Sequence, residues 1–543
     1  MRGDGVLRRI APAVLALALA GTGCTSEGGD GGGGTEQPKD GVLRVLAGSE
    51  LHDMEAVLAD ARTATGVRVE FTWSGSLDGA DTVASGQADG KYDAVWFPSN
   101  HYLRLDPAGK GKLLSETPVM SSPVAVGVRS TMLSELGWGD GSQVTWGKLG
   151  EAAAAGKLSY GMADPSRSNS GFSALVALAS AFSGAGAALS DADVAKAAPQ
   201  LKQFFSGQKL TSGSSGWLAE AYQKAAKQNE TKVGALVNYE SVLLSMNRTL
   251  PAEDRLTVIR PVDGVVSADY PLSLLASAGK PAQDSFQRLS RYLLQSNAQQ
   301  RITEETLRRP VTTGVTPATG LPAERRRELP FPGTRAVADG LLSAYQNELR
   351  RPSRTVYVLD TSGSMKGGRL DALKAAMARL TGAQDPRGQR RFRQREEVTV
   401  VEFASTVKSE RTYRIPVGPP EAELARIQQE VQGLTADGGT AVYSSLKEAF
   451  ELVGRQQAAS GDDRFTSIVV MTDGESNEGL KDQEFRAWYG GLSGAARAVP
   501  VFPILFGDAA KGQLQGIADL TGGKLFDGRG SLDGAFEEIR GYQ

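Results

Sequence analysis

The stretch Thr355-Val356-Tyr357-Val358-Leu359-Asp360-Thr361-Ser362-Gly363-Ser364-Met365 decides how this chain is read. Its first five residues are β-branched, aromatic or aliphatic, the composition of a strand buried on both faces. The run then stops on an acid and releases Asp360, Ser362 and Ser364 at alternate positions into a glycine-containing loop. Carboxylate and hydroxyl oxygens are the donors a hard divalent cation takes, and Mg²⁺ keeps several waters, so few protein oxygens suffice. Two later segments supply more of them. Gly438-Gly439-Thr440 opens a helical pattern over 440–453, and Ile468-Val469-Val470-Met471-Thr472-Asp473-Gly474 is a second apolar strand that ends on an acid. Asp-x-Ser-x-Ser alone is common in loops, and serine or aspartate often does no more than cap a helix. Behind a buried strand, and joined by Gly-Gly-Thr and Thr-Asp-Gly, the pattern is hard to imitate.

Together these segments resemble the metal-ion-dependent adhesion site of the von Willebrand factor A (VWA) family. The resemblance implies that Ser362 and Ser364 bind the metal directly, and Thr440 directly or through water. Asp360 and Asp473 would act through water or as anchors. It implies Mg²⁺ as the cation, with Mn²⁺ or Ca²⁺ as alternatives, and an open coordination position completed by a carboxylate from a protein partner. Around the motif, 351–543 reads as a doubly wound, Rossmann-like α/β domain. Strands are expected over 397–403 and 499–506, and helices over 421–432, 440–453 and 512–520. Ligands of such sheets bind beyond the carboxyl ends of the strands, where Asp360 and Asp473 fall.

The first half alternates strand and helix: strands over 42–47, 67–73 and 92–97, helices over 55–65 and 81–89. That order implies a parallel sheet with covering helices. Residues 41–315 resemble the two-lobed (type 2) periplasmic-binding-protein-like solute receptors of ABC transporters, with 123–128 as the first crossing strand and 270–275 as the return. The resemblance implies an interlobe cleft for a small polar or anionic solute, lined by loops that follow the strands. Its candidate residues are Ser49, Glu50, Ser74, Gly75, Ser76 and Asn100, then Ser168, Asn169, Ser170 and Tyr239. Arg167 is a candidate clamp for a carboxylate. Serine-rich loops also form turns and caps without any ligand. Residues 316–350 read as a connector, with four prolines and the cluster Arg325-Arg326-Arg327 over 316–332 and a helix expected over 336–348.

At the N-terminus, Arg2, Arg8 and Arg9 precede an apolar run over 10–20 that is too short to span a bilayer as a mature helix. Small residues lead from it to Cys24, the sole cysteine of the 543 residues. This resembles a bacterial lipobox, so 1–24 is expected to be a lipoprotein signal peptide and Cys24 the lipidated residue. Residues 25–40, rich in Gly, Ser and acids, read as a flexible tether. The expected address is the outer face of the cell membrane, with the lipid as the only membrane attachment. A net charge of −2 gives no ground for nucleic-acid binding. Only two histidines, His52 and His101, occur, with no Gly-x-Ser-x-Gly elbow or phosphate loop, so no catalytic residue is expected. The resulting expectation is a surface lipoprotein that binds a partner through a metal and a solute in its cleft. A transport receptor with the VWA domain as docking module is the alternative, and metal-dependent catalysis a weaker one.

Overall fold

Three sheets organise the computed structural model, which describes residues 41–227, 233–382, 391–461 and 464–542. The expected signal segment, Cys24 and the tether lie outside the described residues. The first sheet runs in the order Val67–Ser74, Gly41–Gly48, Ala94–Trp96, Pro271–Leu275, Leu113–Pro118; its first three strands are parallel and the last two pair antiparallel. The second sheet has the path Ser267–Ala268, Met120–Arg129, Ala235–Tyr239, Tyr160–Ala163, Gln208–Ser212. The chain passes from one sheet to the other through Val119, ahead of the crossing expected over 123–128, which lies wholly in the second sheet; it returns through Asp269 and Tyr270, at the start of the expected return. Tyr270 takes φ +40° and Leu307 φ +54°. Left-handed backbone costs a side-chain-bearing residue about 1–2 kcal/mol, so local contacts must hold it there. They do: the Trp96 indole N–H donates to the Tyr270 carbonyl at 3.0 Å, and the Arg308 guanidinium lies 4.6 Å from the centre of the Tyr270 ring.

The helix expected over 81–89 is found earlier, at Ser76–Ala84. It starts directly behind the second strand, and Gly86 at φ +79° follows its end, so the apolar spacing read farther along belongs to turns.

The connector is more than a spacer. Residues Arg335–Ala344 form a helix that continues as a π-turn over Tyr345–Leu349. Arg335 pairs with Asp81 of the first lobe at 2.8 Å and lies 3.9 Å over the Tyr102 ring, while the Tyr102 hydroxyl donates to Asp339 at 2.9 Å. On the other side, Tyr345 packs edge-on against Phe205 of the second lobe, ring centres 5.0 Å apart. Phe331 sits between His101 of the first lobe and Phe172 of the second, at 5.0 and 5.6 Å. The connector therefore straps the two lobes together. A partly exposed pair of this kind contributes about 1 kcal/mol, a factor of about five in an equilibrium. Arg335→Ala is expected to raise the population of separated lobes by about that factor, read as a longer-distance component between spin labels placed one on each lobe; an unchanged distance distribution would show that the strap holds nothing.

The third sheet has the order Val407–Arg414, Glu397–Phe403, Ser353–Asp360, Phe465–Thr472, Val501–Leu505, Phe526–Asp527, antiparallel only at the first pair. This is the doubly wound arrangement expected for the second half. Ser353–Asp360 is buried along its whole length. Its side chains alternate between two cores, Tyr357 and Leu359 on one face, Val356 and Val358 on the other. The helices Glu421–Gln432 and Lys511–Thr521 stand where the spacing placed them, and the one expected over 440–453 extends as Val442–Ser460. The helix Gly368–Leu380 and the edge strand Val407–Arg414 are additions.

This domain meets the second lobe through its C-terminal turn, Arg540–Tyr542. Tyr542 packs edge-on to Trp217 with centres 4.7 Å apart, and a Cβ on Gly541 would come within 2.6 Å of the Gly213 Cα. Glu396, just before the strand Glu397–Phe403, receives both Arg350 of the connector and Arg540 of the turn. The contact thus lies at the end where the strands begin. Asp360 and Asp473 lie at the end where they finish.

Candidate functional site

Asp360 closes its strand and is fully buried. Both carboxylate oxygens are used locally: Oδ1 accepts the Ser362 backbone N–H at 2.7 Å, and Oδ2 accepts the Thr472 hydroxyl at 2.5 Å. Thr472 ends the neighbouring strand, so this acid ties the loop to the sheet. Burial pushes the Asp360 carboxyl above its ordinary range, with the Thr472 and Ser362 hydrogen bonds pulling the other way. Ser362 Oγ lies 3.0 Å from Ser364 Oγ, and the Ser364 hydroxyl donates to Asp473 Oδ1 at 2.7 Å. Thr440 enters from a third loop, held by its N–H to Asn477 Oδ1 at 2.9 Å. A Cβ on Gly474 would sit 3.7 Å from Thr440 Oγ1 and 3.8 Å from Ser364 Oγ, so the threonine and serine hydroxyls face each other across a bare glycine. The Gly363 N–H to the Gly438 carbonyl, 2.9 Å, fastens the two loops.

The five residues singled out by pattern therefore meet at one point. Three hydroxyls and two carboxylates, with no imidazole or thiol, make an oxygen-only donor set that fits a hard cation. Three participants escaped the sequence reading: Thr472, Asn477 and Arg369. The Arg369 guanidinium donates to Asp473 Oδ2 at 2.6 Å and to Asp508 Oδ2 at 2.6 Å.

In the second lobe the candidate cleft residues also converge. The helix Asn169–Ser183 begins behind Ser168, and the hydroxyls of Ser168, Ser170 and Ser215 meet at 2.6–3.1 Å. Asn169 Nδ2 donates to the Tyr239 hydroxyl at 2.7 Å. Burial, above all, raises the Tyr239 phenol well above its ordinary value. The first-lobe candidates are more scattered. Gly75 lies against the second lobe, where a Cβ would come 2.8 Å from the Arg167 carbonyl, and Arg167 pairs with Asp78 at 3.2 Å. Ser74 donates to the Gly75 carbonyl at 3.0 Å, Ser49 is half-buried, and Ser76 is buried at its helix start. Burial raises the Glu50 carboxyl, against the pull of its own backbone and of Arg308. Asn100 is turned within its lobe, its amide donating to Glu116 Oε2 and Ser273 Oγ, both at 2.8 Å. Arg167 spends its charge on Asp78 across the cleft. Ser215, Tyr270 and the buried Arg308, which pairs with Asp53 at 2.7 Å, were not anticipated.

Residues 43–306 match the family of bacterial extracellular solute-binding proteins, and residues 355–475 match the von Willebrand factor type A domain. The solute-binding and VWA resemblances are borne out, and the solute-binding family is one of exported proteins. No described helix is long and apolar enough to cross a membrane. An uncharacterized protein of Synechocystis sp. is 30% identical over 141 residues, 26% of this chain and 29% of that protein. A heavy chain of inter-alpha-trypsin inhibitor from Bos taurus is 30% identical over 142 residues, 26% of this chain and 15% of its own length. The chain thus spans less than a third of these curated relatives. Among solved structures, the periplasmic binding protein AfuA from Actinobacillus pleuropneumoniae, with fructose-6-phosphate bound, is 13% identical at a TM-score of 0.46, over 57% of this chain and 99% of that one. A von Willebrand factor type A protein from Catenulispora acidiphila is 19% identical at a TM-score of 0.28, over 35% of this chain and 42% of that one.

Proposed function

We propose that this chain, which joins a bacterial extracellular solute-binding segment to a von Willebrand factor type A domain, grips a protein partner through a divalent cation. Ser362, Ser364 and Thr440 would supply the direct oxygens, and Asp360 and Asp473 would hold them. Mg²⁺ fits best, because it accepts a few protein oxygens and fills the rest of its octahedron with water. With few carboxylates bound directly, the cation stays electrophilic and takes an aspartate or glutamate from the partner. The observation that carries this reading is the hydrogen-bonded run Asp360–Ser362–Ser364–Asp473, laid across the finishing ends of two adjacent parallel strands. Docking at the opposite end supports it, since that leaves the site clear of the solute-binding body.

The interlobe region is proposed to take a small polar or anionic solute, with Ser168, Ser170, Asn169 and Tyr239 as hydrogen-bonding groups. A lipid on Cys24, followed by the tether, would hold the protein on the outer face of the cell membrane. The second reading is a transport receptor whose VWA domain docks it to a complex; the family match over 43–306 favours it. A pull-down with residues 25–543 tests the metal grip. A partner captured in Mg²⁺ and released by EDTA is expected, and capture indifferent to EDTA would sink the metal grip.

A further inference from the structure

Arg369 places a positive charge where the proposed cation needs negative charge. Its side chain is about a third exposed, at 35%, and spans two acids of opposite character: Asp473 at 0% exposure and Asp508 at 87%. The loop behind the strand Val501–Leu505 is shaped to admit it. Gly507 takes φ +52°, and a Cβ there would stand 3.2 Å from Arg369 Cζ and 3.0 Å from the Asp473 Cβ. A side chain there would press on both the guanidinium and the acid, and the left-handed backbone further favours glycine. Asp473 divides its two oxygens between the Ser364 hydroxyl and this guanidinium. Both bonds use up acceptor capacity that a cation, or a water on the cation, would want.

We propose that Arg369 is a built-in counter-cation of the metal site, which neutralises Asp473 and lowers the affinity of the site for a divalent ion. This rests on the metal reading given above. The physical consequence holds wherever the arginine sits once the ion is bound. If it stays, it repels the ion across a few ångströms; if it swings out toward Asp508, breaking the Asp473 pair opposes loading. Either way the site fills at a higher cation concentration than its five oxygens alone would need. Asp508, exposed and already bonded to Nη2, is a ready resting place for the displaced side chain.

Isothermal titration of the full chain with Mn²⁺ tests this, comparing wild type with Arg369→Gln and Arg369→Lys. A unit charge acting on a divalent ion over a few ångströms, screened by water as a partly exposed arginine is, changes affinity by about ten- to a hundredfold. Arg369→Gln is expected to bind Mn²⁺ tighter by that factor, and Arg369→Lys to stay near wild type. Melting curves give a second readout. Without metal, Arg369→Gln should melt below wild type, and saturating Mn²⁺ should close the gap. A purely structural arginine would lower the melting temperature equally in both conditions, and that result, or equal or weaker Mn²⁺ binding by a folded Arg369→Gln, overturns the proposal. Failure of wild type and variants alike to bind Mn²⁺ would overturn the metal reading along with it.

Discussion

Asp360→Ala is expected to weaken Mn²⁺ binding by about 10–100-fold or more, the range found when a residue that orients metal ligands is removed. Capture of any Mg²⁺-dependent partner should fall with it. Asp360 binds little by itself in this arrangement; it holds the Ser362 backbone and the Thr472 hydroxyl, and so sets the loop that carries both serines. Without it the Ser362 N–H stays buried and unmet, at about 1–3 kcal/mol, while the Thr472 hydroxyl keeps the Gly474 carbonyl at 3.2 Å. The alanine variant should therefore melt early as well. Asp360→Asn separates the effects, because its one amide oxygen keeps a single acceptor and most of the packing. It should recover stability more than metal binding. Titration with Mn²⁺ checks this, and affinity like wild type in Asp360→Ala would remove Asp360 from the site.

Glu396→Ala should cost the most stability. Its carboxylate is almost fully buried and is shared by Arg350, by Arg540 at 2.9 Å and by the Arg393 N–H at 2.9 Å. The surroundings are crowded with positive charge: burial first, then Arg540, push the Arg393 guanidinium down to about 9. Removing the carboxylate at such a hub costs about 3–5 kcal/mol, which lowers the melting temperature of a domain this size by about 6–20 °C. Burial alone would raise the Glu396 carboxyl; Arg540 and Arg350 together outweigh it and hold it below the ordinary range. The folded value lies below the unfolded one, so the stabilisation is present above about pH 4.5 and is lost as pH falls through the folded value. Wild type and Glu396→Ala should accordingly differ widely at pH 7 and converge in acid. Equal melting temperatures at pH 7 would show that the hub contributes nothing.

The candidate metal residues could be grouped from the sequence because strand ends are legible. A buried run such as 355–359 stops where its apolar composition stops, and the next polar side chains must leave the sheet at its finishing end. Thr440 and Asp473 could be added because their residue types and neighbours repeat that logic. Arg369 carries no such mark. It stands early in an ordinary amphipathic helix, and its role depends on Gly507 and Asp508 arriving from a strand far along the chain. In the connector the helix was legible but its contacts were not, for a related reason. Prolines and arginines read as a solvated link, yet Arg335 finds Asp81 and Tyr102 only after the first lobe has folded. In the cleft, one residue type serves capping and contact alike, so Ser168 and Ser170 were readable as a pair while Ser215 was not.

The docking contact sits at the starting ends of the strands, and this sets how tension would travel. A partner of the proposed kind, drawing on the cation, would pull Ser353–Asp360 and Phe465–Thr472 lengthwise, along their shared direction. Their hydrogen bonds, slanted between parallel neighbours, are then strained in shear and resist together, whereas peeling from one end would open them in turn. The pull leaves the sheet at Pro352 and enters the connector, which is fastened to one lobe through Arg335 and to the other through Tyr345. A load applied at the metal end is thereby delivered to the seam between the two lobes, the same seam a solute would have to open.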